Sequence, residues 1–458
     1  MKFQTINPAT EEVIAEYEIM LKDKVLESAK KSKAAFQEWK RLDVFERADY
    51  FRKIAQVLRN NKERYAKLMT LEMGKPIKQA LTEIEKCAWG SEVYADNATK
   101  WLEEEIVQAD GKKHLVAFEP LGTILSIMPW NFPFWQAFRF GIPTLIAGNV
   151  SILKHSNVVP QCALAIEESF REAGFPENVF KTVITNHEAV AELVKSDLIQ
   201  GVSLTGSTST GVRVAELAGA NLKKVVLELG GSDPFIILDD ADIEIAAKNA
   251  VSARNINSGQ SCIAAKRFIV MKNVADEFSK IFAEATNALI VDDPMDMKTD
   301  VGPLVNKDGL MQIEAQVNDA VMKGAAILTG GKRLDRKGYF FKPTVLSNIK
   351  SNMKVVTEEV FGPVAPIIIV NDEEEAIKIA NNTEYGLGAS IWTSNDSKGL
   401  EIAKRIEAGD VFINSVVKSD PRMPFGGIKK SGIGRELSKY GLREFVNIKG
   451  INVYEMKR

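Results

Sequence analysis

Between Asp43 and Asn61 apolar residues fall at Val44, Ala48, Phe51, Ala55 and Leu58, in steps of 4, 3, 4 and 3. That spacing puts all five on one stripe and predicts an amphipathic helix. The first hundred residues read mainly as helix. From about residue 113 the period changes. Short β-rich runs (TILSIM, VSILK, KTVIT, GVSLT, VVLEL and PFIIL) alternate with helical segments at 159–174 and 208–219. Such alternation predicts βαβ units and a parallel sheet. A second series follows residue 262: RFIVM, a helix near 275–290, PIIIV, a helix near 373–381, GASIW, a helix near 397–407, and DVFIN. Two α/β domains are therefore expected, with a seam near Glu228–Pro234. The last residues, GINVYEMKR, read as a short β-like tail that docks on a partner subunit. There is no internal repeat, low-complexity tract or long linker.

Composition narrows the classes. A chain of 458 residues is too long for one small core, and about two or three domains are the prior. Hydrophobic content of 45% and charged content of 26% are ordinary for a globular protein. A net charge of −2 leaves no basic field for nucleic acid or an anionic membrane. The three cysteines, Cys87, Cys162 and Cys262, are scattered and odd in number, which argues against a secreted disulfide framework. The N-terminal stretch MKFQTINPATEEV has no apolar signal core. The most apolar stretch, 122–153, is interrupted by Pro129, Pro133, Arg139 and Pro143, so it reads poorly as a membrane span. With 3 His and no CxxC pair, no metal site is expected. The expectation is a soluble cytoplasmic protein.

Candidate chemistry collects at the ends of the β-rich runs. No GxGxxG or Walker A sequence is present; GLGAS and GIGRE both lack the third glycine. In SLTGSTSTG a strand runs through Gly206 and Ser207 into a helix, where free N–H groups suit a pyrophosphate or merely form an N-cap. ILKHSN places Lys154 and His155 directly after an apolar strand. The carboxyl ends of parallel strands face the ligand crevice, although a solvated lysine is the plain alternative. His155 reads as structural. In VVLELGGSDP, Glu228 interrupts a buried run, which is costly unless the carboxylate is paired or functional. In MPWNFPFWQAFRF, Asn131 sits in a turn among aromatics and either satisfies its own backbone or donates to a developing oxyanion. Cys262 follows Gly259, Gln260 and Ser261. A free cysteine is usually an inert buried hydrophobe, but a loop of this kind can expose a thiol to a cleft.

Taken together, PWNFP, LTGSTSTG, LELGG, GQSC, EEVFGPV and PFGGIKKSGIGRE stand in the order seen in NAD(P)-dependent aldehyde dehydrogenases. The chain resembles that family over nearly its whole length. Within it the nearest likeness is to short bacterial succinate-semialdehyde dehydrogenases, carried by MPWNFPFWQAFRF, LKH, LELGGSDPF, GQSCIAAKR and VKSDPRMPFGG.

The resemblance implies a Rossmann-like cofactor domain (1–101 and 121–229), a catalytic α/β domain (230–430) and a small β oligomerisation element (102–120 and 444–458). Cys262 resembles the nucleophile and Glu228 the general base, while Asn131 with the Cys262 N–H would form the oxyanion hole. Trp130, Lys154, Asn157, Gly206, Ser207, Glu359 and Phe361 match positions around NADP or NAD. Many members carry a glutamate where Asn157 stands, and a carboxylate there would repel a 2′-phosphate. NADP is therefore expected to be accepted and preferred, with NAD usable.

Trp135 and Arg139, four apart on a helix starting near Pro133, share a face. A guanidinium among Phe134, Phe138 and Phe140 needs an anion, either a structural carboxylate or a substrate's. With Ser261 and Ser419 they form the expected substrate set for a short aldehyde with a distal carboxylate, and the resemblance names succinic semialdehyde. A general or hydroxyaldehyde dehydrogenase, an acylating dehydrogenase and a non-enzymatic scaffold are the competing readings. A homodimer or dimer-of-dimers tetramer is the implied assembly.

Overall fold

A computed structural model describes residues 2–456. Two large sheets organise them. In the first, strands Thr123–Met128, Val150–His155, Phe180–Thr182, Gly201–Thr205 and Lys224–Glu228 run parallel. A short return strand, Gly432–Ile433, pairs antiparallel with Lys224–Glu228, setting Gly432 opposite Glu228. Thr123–Met128 has Val150–His155 on one side and Gly201–Thr205 on the other. Chain order reverses there, and ligands bind beyond the carboxyl ends of strands at such a point.

The second sheet has seven strands. Asp233–Ile237 lies in its interior between Ala265–Met271 and Gly388–Trp392, both parallel to it. In chain order Lys224–Glu228 is the last parallel strand of the first sheet, and Asp233–Ile237 opens the second. Both strands bury most of their side chains, as parallel strands covered on two faces do.

The amphipathic stripe forms the helix Val44–Asn60. Asp43 caps it reciprocally: the Glu46 N–H donates to Asp43 Oδ1, and the Asp43 N–H donates to Glu46 Oε2, both at 2.8 Å. Its apolar face packs on the 25-residue helix Ile77–Trp101. Burying each large apolar side chain contributes roughly 1.5–3 kcal/mol. That long helix also carries Glu83 and Lys86 toward the seam. Helix Pro133–Ile146 begins at its proline and is buried on every side.

The expectation of a mainly helical first hundred residues needs correcting at its start. Lys2–Asn7 and Glu12–Glu18 form an antiparallel hairpin. These strands bury little beyond Thr5, so they carry no apolar alternation to read. Near the other end, Val446–Val453 pairs antiparallel with Lys113–Pro120 of the same chain, and Glu105–Val107 completes a three-stranded sheet. The expected tail strand therefore docks first on its own chain; residues 457 and 458 of that tail lie outside the described residues. Among the described residues no helix is long and apolar enough to cross a membrane.

Candidate active site

Cys262 lies between the turn Ile256–Gly259 and the strand Ala265–Met271. The turn holds a run of left-handed backbone: φ is 51° at Asn257, 57° at Ser258 and 77° at Gly259. Such conformations persist where the surroundings over-determine them. The Asn257 N–H donates to Gln79 Oε1 at 2.7 Å, and its side-chain amide donates to the Asn131 carbonyl at 2.8 Å. The Ser258 hydroxyl donates to the Gly302 carbonyl at 3.1 Å. Gly259 is required here, since a Cβ would lie 2.3 Å from the Gly362 carbonyl carbon. The loop that presents the thiol is thus pinned from both sides.

Cys262 is partly exposed and borders two cavities. One is a cleft of about 530 Å³ lined by Trp130, Gly206, Ser207, Glu359 and Phe361. The other, about 280 Å³, is lined mainly by apolar groups and bordered by Trp135, Arg139, Ser261 and Ser419. The structure therefore gathers the expected cofactor residues on one side of the sulfur and the expected substrate residues on the other. Lys154 and Asn157 stand further off, at and beyond the end of strand Val150–His155. Burial pushes the Lys154 ammonium down to about 8. His155 is buried, with Nε2 3.0 Å from the Pro133 carbonyl, and is structural.

Asn131 is buried beside the thiol loop. Its Nδ2 donates one hydrogen to the Gln260 carbonyl at 3.0 Å, and its Oδ1 accepts from Gln136 Nε2 at 3.1 Å. The second Nδ2 hydrogen is left over, and the Cys262 N–H takes no backbone partner among the described residues. Two donors beside one sulfur are what an oxyanion requires. The turn carrying Asn131 is fastened by Glu83, whose Oε1 accepts the N–H groups of Phe134 and Trp135 at 3.0 and 2.9 Å. Glu83 is in turn ion-paired with Lys75, fully buried over the Phe132 ring. A carboxylate at a helix N-terminus also meets the positive end of the helix dipole.

Burial pushes the Cys262 thiol up to about 11, against the pull of Arg139 and Lys266. Burial likewise holds Glu228 well above the carboxylate range; Glu436 adds to this, and Arg139 opposes it. Both Glu228 oxygens lack a hydrogen-bond partner among the described residues. The carboxylate borders neither cavity but faces Gly426, where a Cβ would lie 2.6 Å from Glu228 Oε1.

Arg139 requires the main correction. The carboxylate that meets it is Glu436, an ion pair with both side chains buried. The guanidinium also lies 4.6 Å over Phe425 and donates to Thr205 Oγ1 at 3.3 Å. Of the two partners the sequence left open for this charge, a structural carboxylate and a substrate's, the chain itself supplies the first. Burial works against the Arg139 charge, but Glu436 and then Glu228 keep it protonated. Glu436 stands in GIGRE, which drew notice as an incomplete glycine motif and as the end of PFGGIKKSGIGRE, and neither gave its carboxylate a role. Lys75, Glu83, Lys86, Gln136 and Asn257 gave no local signal, because each acts through a partner distant in sequence.

Residues 1–451 match the model of the aldehyde dehydrogenase family. A Synechocystis protein named probable succinate-semialdehyde dehydrogenase (NADP+) is 48% identical over 451 residues, 98% of this chain and 99% of that one. The Mycobacterium leprae succinate-semialdehyde dehydrogenase (NADP+) is 44% identical over 454 residues, with the same coverage. The crystal structure of succinic semialdehyde dehydrogenase from Streptococcus pyogenes in complex with NADP+ superposes with a TM-score of 0.97 at 36% identity, covering 99% of this chain and 100% of that one. A pinned cysteine between two cavities, spare donors beside it and a match over nearly the whole chain agree: the protein belongs to the aldehyde dehydrogenase family.

Proposed function

We propose that the protein oxidises succinic semialdehyde to succinate with NADP+, and accepts NAD+ less well. The observation that carries this reading is the position of Cys262 between the two cavities. The larger cleft suits a dinucleotide. Gly206 and Ser207 border it at the start of helix Thr208–Ala220, where N–H groups point outward and the dipole favours a pyrophosphate. Asn157 offers no negative charge to a 2′-phosphate, and Lys154 offers a positive one. When bound, the nicotinamide supplies the hydride acceptor for the oxidation. The proteins named above support both the substrate and the cofactor.

The chain's own groups do the rest. The Cys262 thiolate adds to the aldehyde carbon, and the alkoxide accepts from Asn131 Nδ2 and the Cys262 N–H. The oxidised carbon is then held as a thioester on Cys262. Glu228, deprotonated and turned toward the sulfur, takes a proton from the water that releases the acid.

The residues bordering the two cavities support domains at 1–101 with 121–229 and at 230–430. The three-stranded sheet supports an oligomerisation element at 102–120 and 444–458. Ile106, Val107, Ile448 and Val453 are exposed on it, and Val446–Val453 is an edge strand with free pairing capacity. A dimer or a dimer of dimers is the assembly this favours.

Initial rates with succinic semialdehyde, butanal and lactaldehyde, each with NADP+ and NAD+, test the reading. The highest kcat/KM is expected for succinic semialdehyde with NADP+. A preference for lactaldehyde would overturn the substrate assignment.

A further inference from the structure

Lys86 borders the 280 Å³ cavity together with Cys262. It projects from helix Ile77–Trp101, and no carboxylate lies within ion-pair distance of it among the described residues. Its ammonium sits 4.5 Å over the Trp135 ring and donates to Ser419 Oγ at 2.7 Å. Trp135 Nε1 donates to the same oxygen at 2.9 Å. A serine hydroxyl has two lone pairs and one hydrogen. With both lone pairs taken, Ser419 must act as a donor, and Lys86 keeps further N–H hydrogens of its own. Two donors, one of them cationic, thus meet at one spot in a mainly apolar cavity with no anion to receive them.

The neighbouring charges do not pair with Lys86. On Lys86's own helix, Glu83 is paired with Lys75 and Cys87 is a buried thiol. On helix Pro133–Ile146, Arg139 is paired with Glu436. In the loop that carries Ser419, Asp420 is paired with Arg422 at 2.7 Å, and Lys418 adds a second positive charge to the cavity wall. Each of these carboxylates is ion-paired, whereas Lys86 is not.

We propose that Lys86 is the cation that receives the distal carboxylate of the substrate, with Ser419 as the second donor, and that Arg139 is a positioning residue rather than the carboxylate's counter-ion. This rests on the substrate reading above. Burial, then Arg139, lowers the free Lys86 ammonium to about 8. Its charge is therefore lost as pH rises through about 8, whereas an arginine at the same place would keep its own.

The test compares kcat/KM for succinic semialdehyde and for butanal in the parent enzyme, Lys86→Met and Lys86→Arg. In the parent, the ratio of the two should fall as pH rises through about 8. Cys262 and Glu228 affect both substrates, so the ratio isolates Lys86. Lys86→Met should lower the ratio about tenfold to a hundredfold, the span of one charge-assisted hydrogen bond, and leave butanal within about threefold of the parent. Lys86→Arg should recover most of the preference and remove its fall above pH 8. An unchanged ratio in Lys86→Met overturns the proposal, as does equal loss on both substrates. A parent that does not prefer succinic semialdehyde over butanal overturns the substrate reading instead.

Discussion

Asn131 Nδ2 donates to the backbone carbonyl of Gln260 at 3.0 Å, two residues before Cys262. The turn after Thr123–Met128 in one sheet is thereby tied to the thiol loop of the other. The same amide that holds the loop keeps a second hydrogen, which in the proposed reaction would meet the alkoxide. Asn131→Ala should therefore lower kcat about 100- to 1000-fold, the usual loss for one oxyanion donor. Asn131→Asp should not restore it, because an ionised carboxylate only accepts. Single-turnover rates check this; loss in KM alone would mean that Asn131 only binds substrate.

The Cys262 thiol, pushed up to about 11, is almost wholly protonated at neutral pH in the free enzyme. Its alkylation by iodoacetamide should rise about tenfold per pH unit between pH 7 and 9, and Cys262→Ala should abolish both alkylation and oxidation. A plateau near pH 7 would show a thiolate already formed.

Glu228→Gln should spare oxidation and block release of the acid. Stopped-flow absorbance should show a burst of reduced cofactor near one equivalent, followed by a stalled thioester detectable by mass. Steady turnover at the parent's rate would exclude Glu228 as the base.

Arg139→Ala removes the cation from beside Glu436 and Glu228. Breaking a buried ion pair typically costs about 3–5 kcal/mol. Both carboxyls are already held above the usual range, mainly by burial, and losing Arg139 raises them further. A carboxyl that binds its proton more tightly when folded loses stability as pH rises. The deficit should therefore grow as pH rises above the usual carboxylate range, measured by denaturant unfolding, and activity should fall alike on charged and uncharged aldehydes. A deficit that shrinks with pH would contradict the pairing.

Asn157→Glu should shift cofactor preference from NADP+ toward NAD+, read as the ratio of kcat/KM values. A carboxylate there repels the 2′-phosphate and can accept from a 2′-hydroxyl. An unchanged ratio would assign the choice to Lys154 or to groups elsewhere.

The helix Val44–Asn60 and most strands of the two sheets were legible because their signals are local: a stripe, an alternation, a run of branched residues; Ala326–Thr329, Thr344–Ser347 and Gly432–Ile433 went unread. The helix Glu373–Asn381 falls on the range the pattern gave it. The hairpin Lys2–Asn7 with Glu12–Glu18 was not legible, since its side chains bury too little to leave a period. The motifs named the residues that meet around Cys262. They could not reveal Glu436 against Arg139, or Lys86 against Ser419, because those pairs exist only once distant segments meet. A charged residue in an apolar run shows that a partner is needed, not which one.

The short strand Gly432–Ile433 closes beside Lys224–Glu228, and Ser431 Oγ donates to the Gly230 carbonyl across 201 residues of chain at 2.7 Å. During synthesis, the segment bearing Glu228 thus emerges long before the strand that walls it in. Contacts of such sequence separation form late and slow the search for the native state. A nascent chain can assemble the parallel core of the first sheet, yet it holds an open-edged sheet that exposes a buried carboxylate until the final segment is released. Until that segment arrives the edge beside Glu228 stays unpaired and open to mispairing.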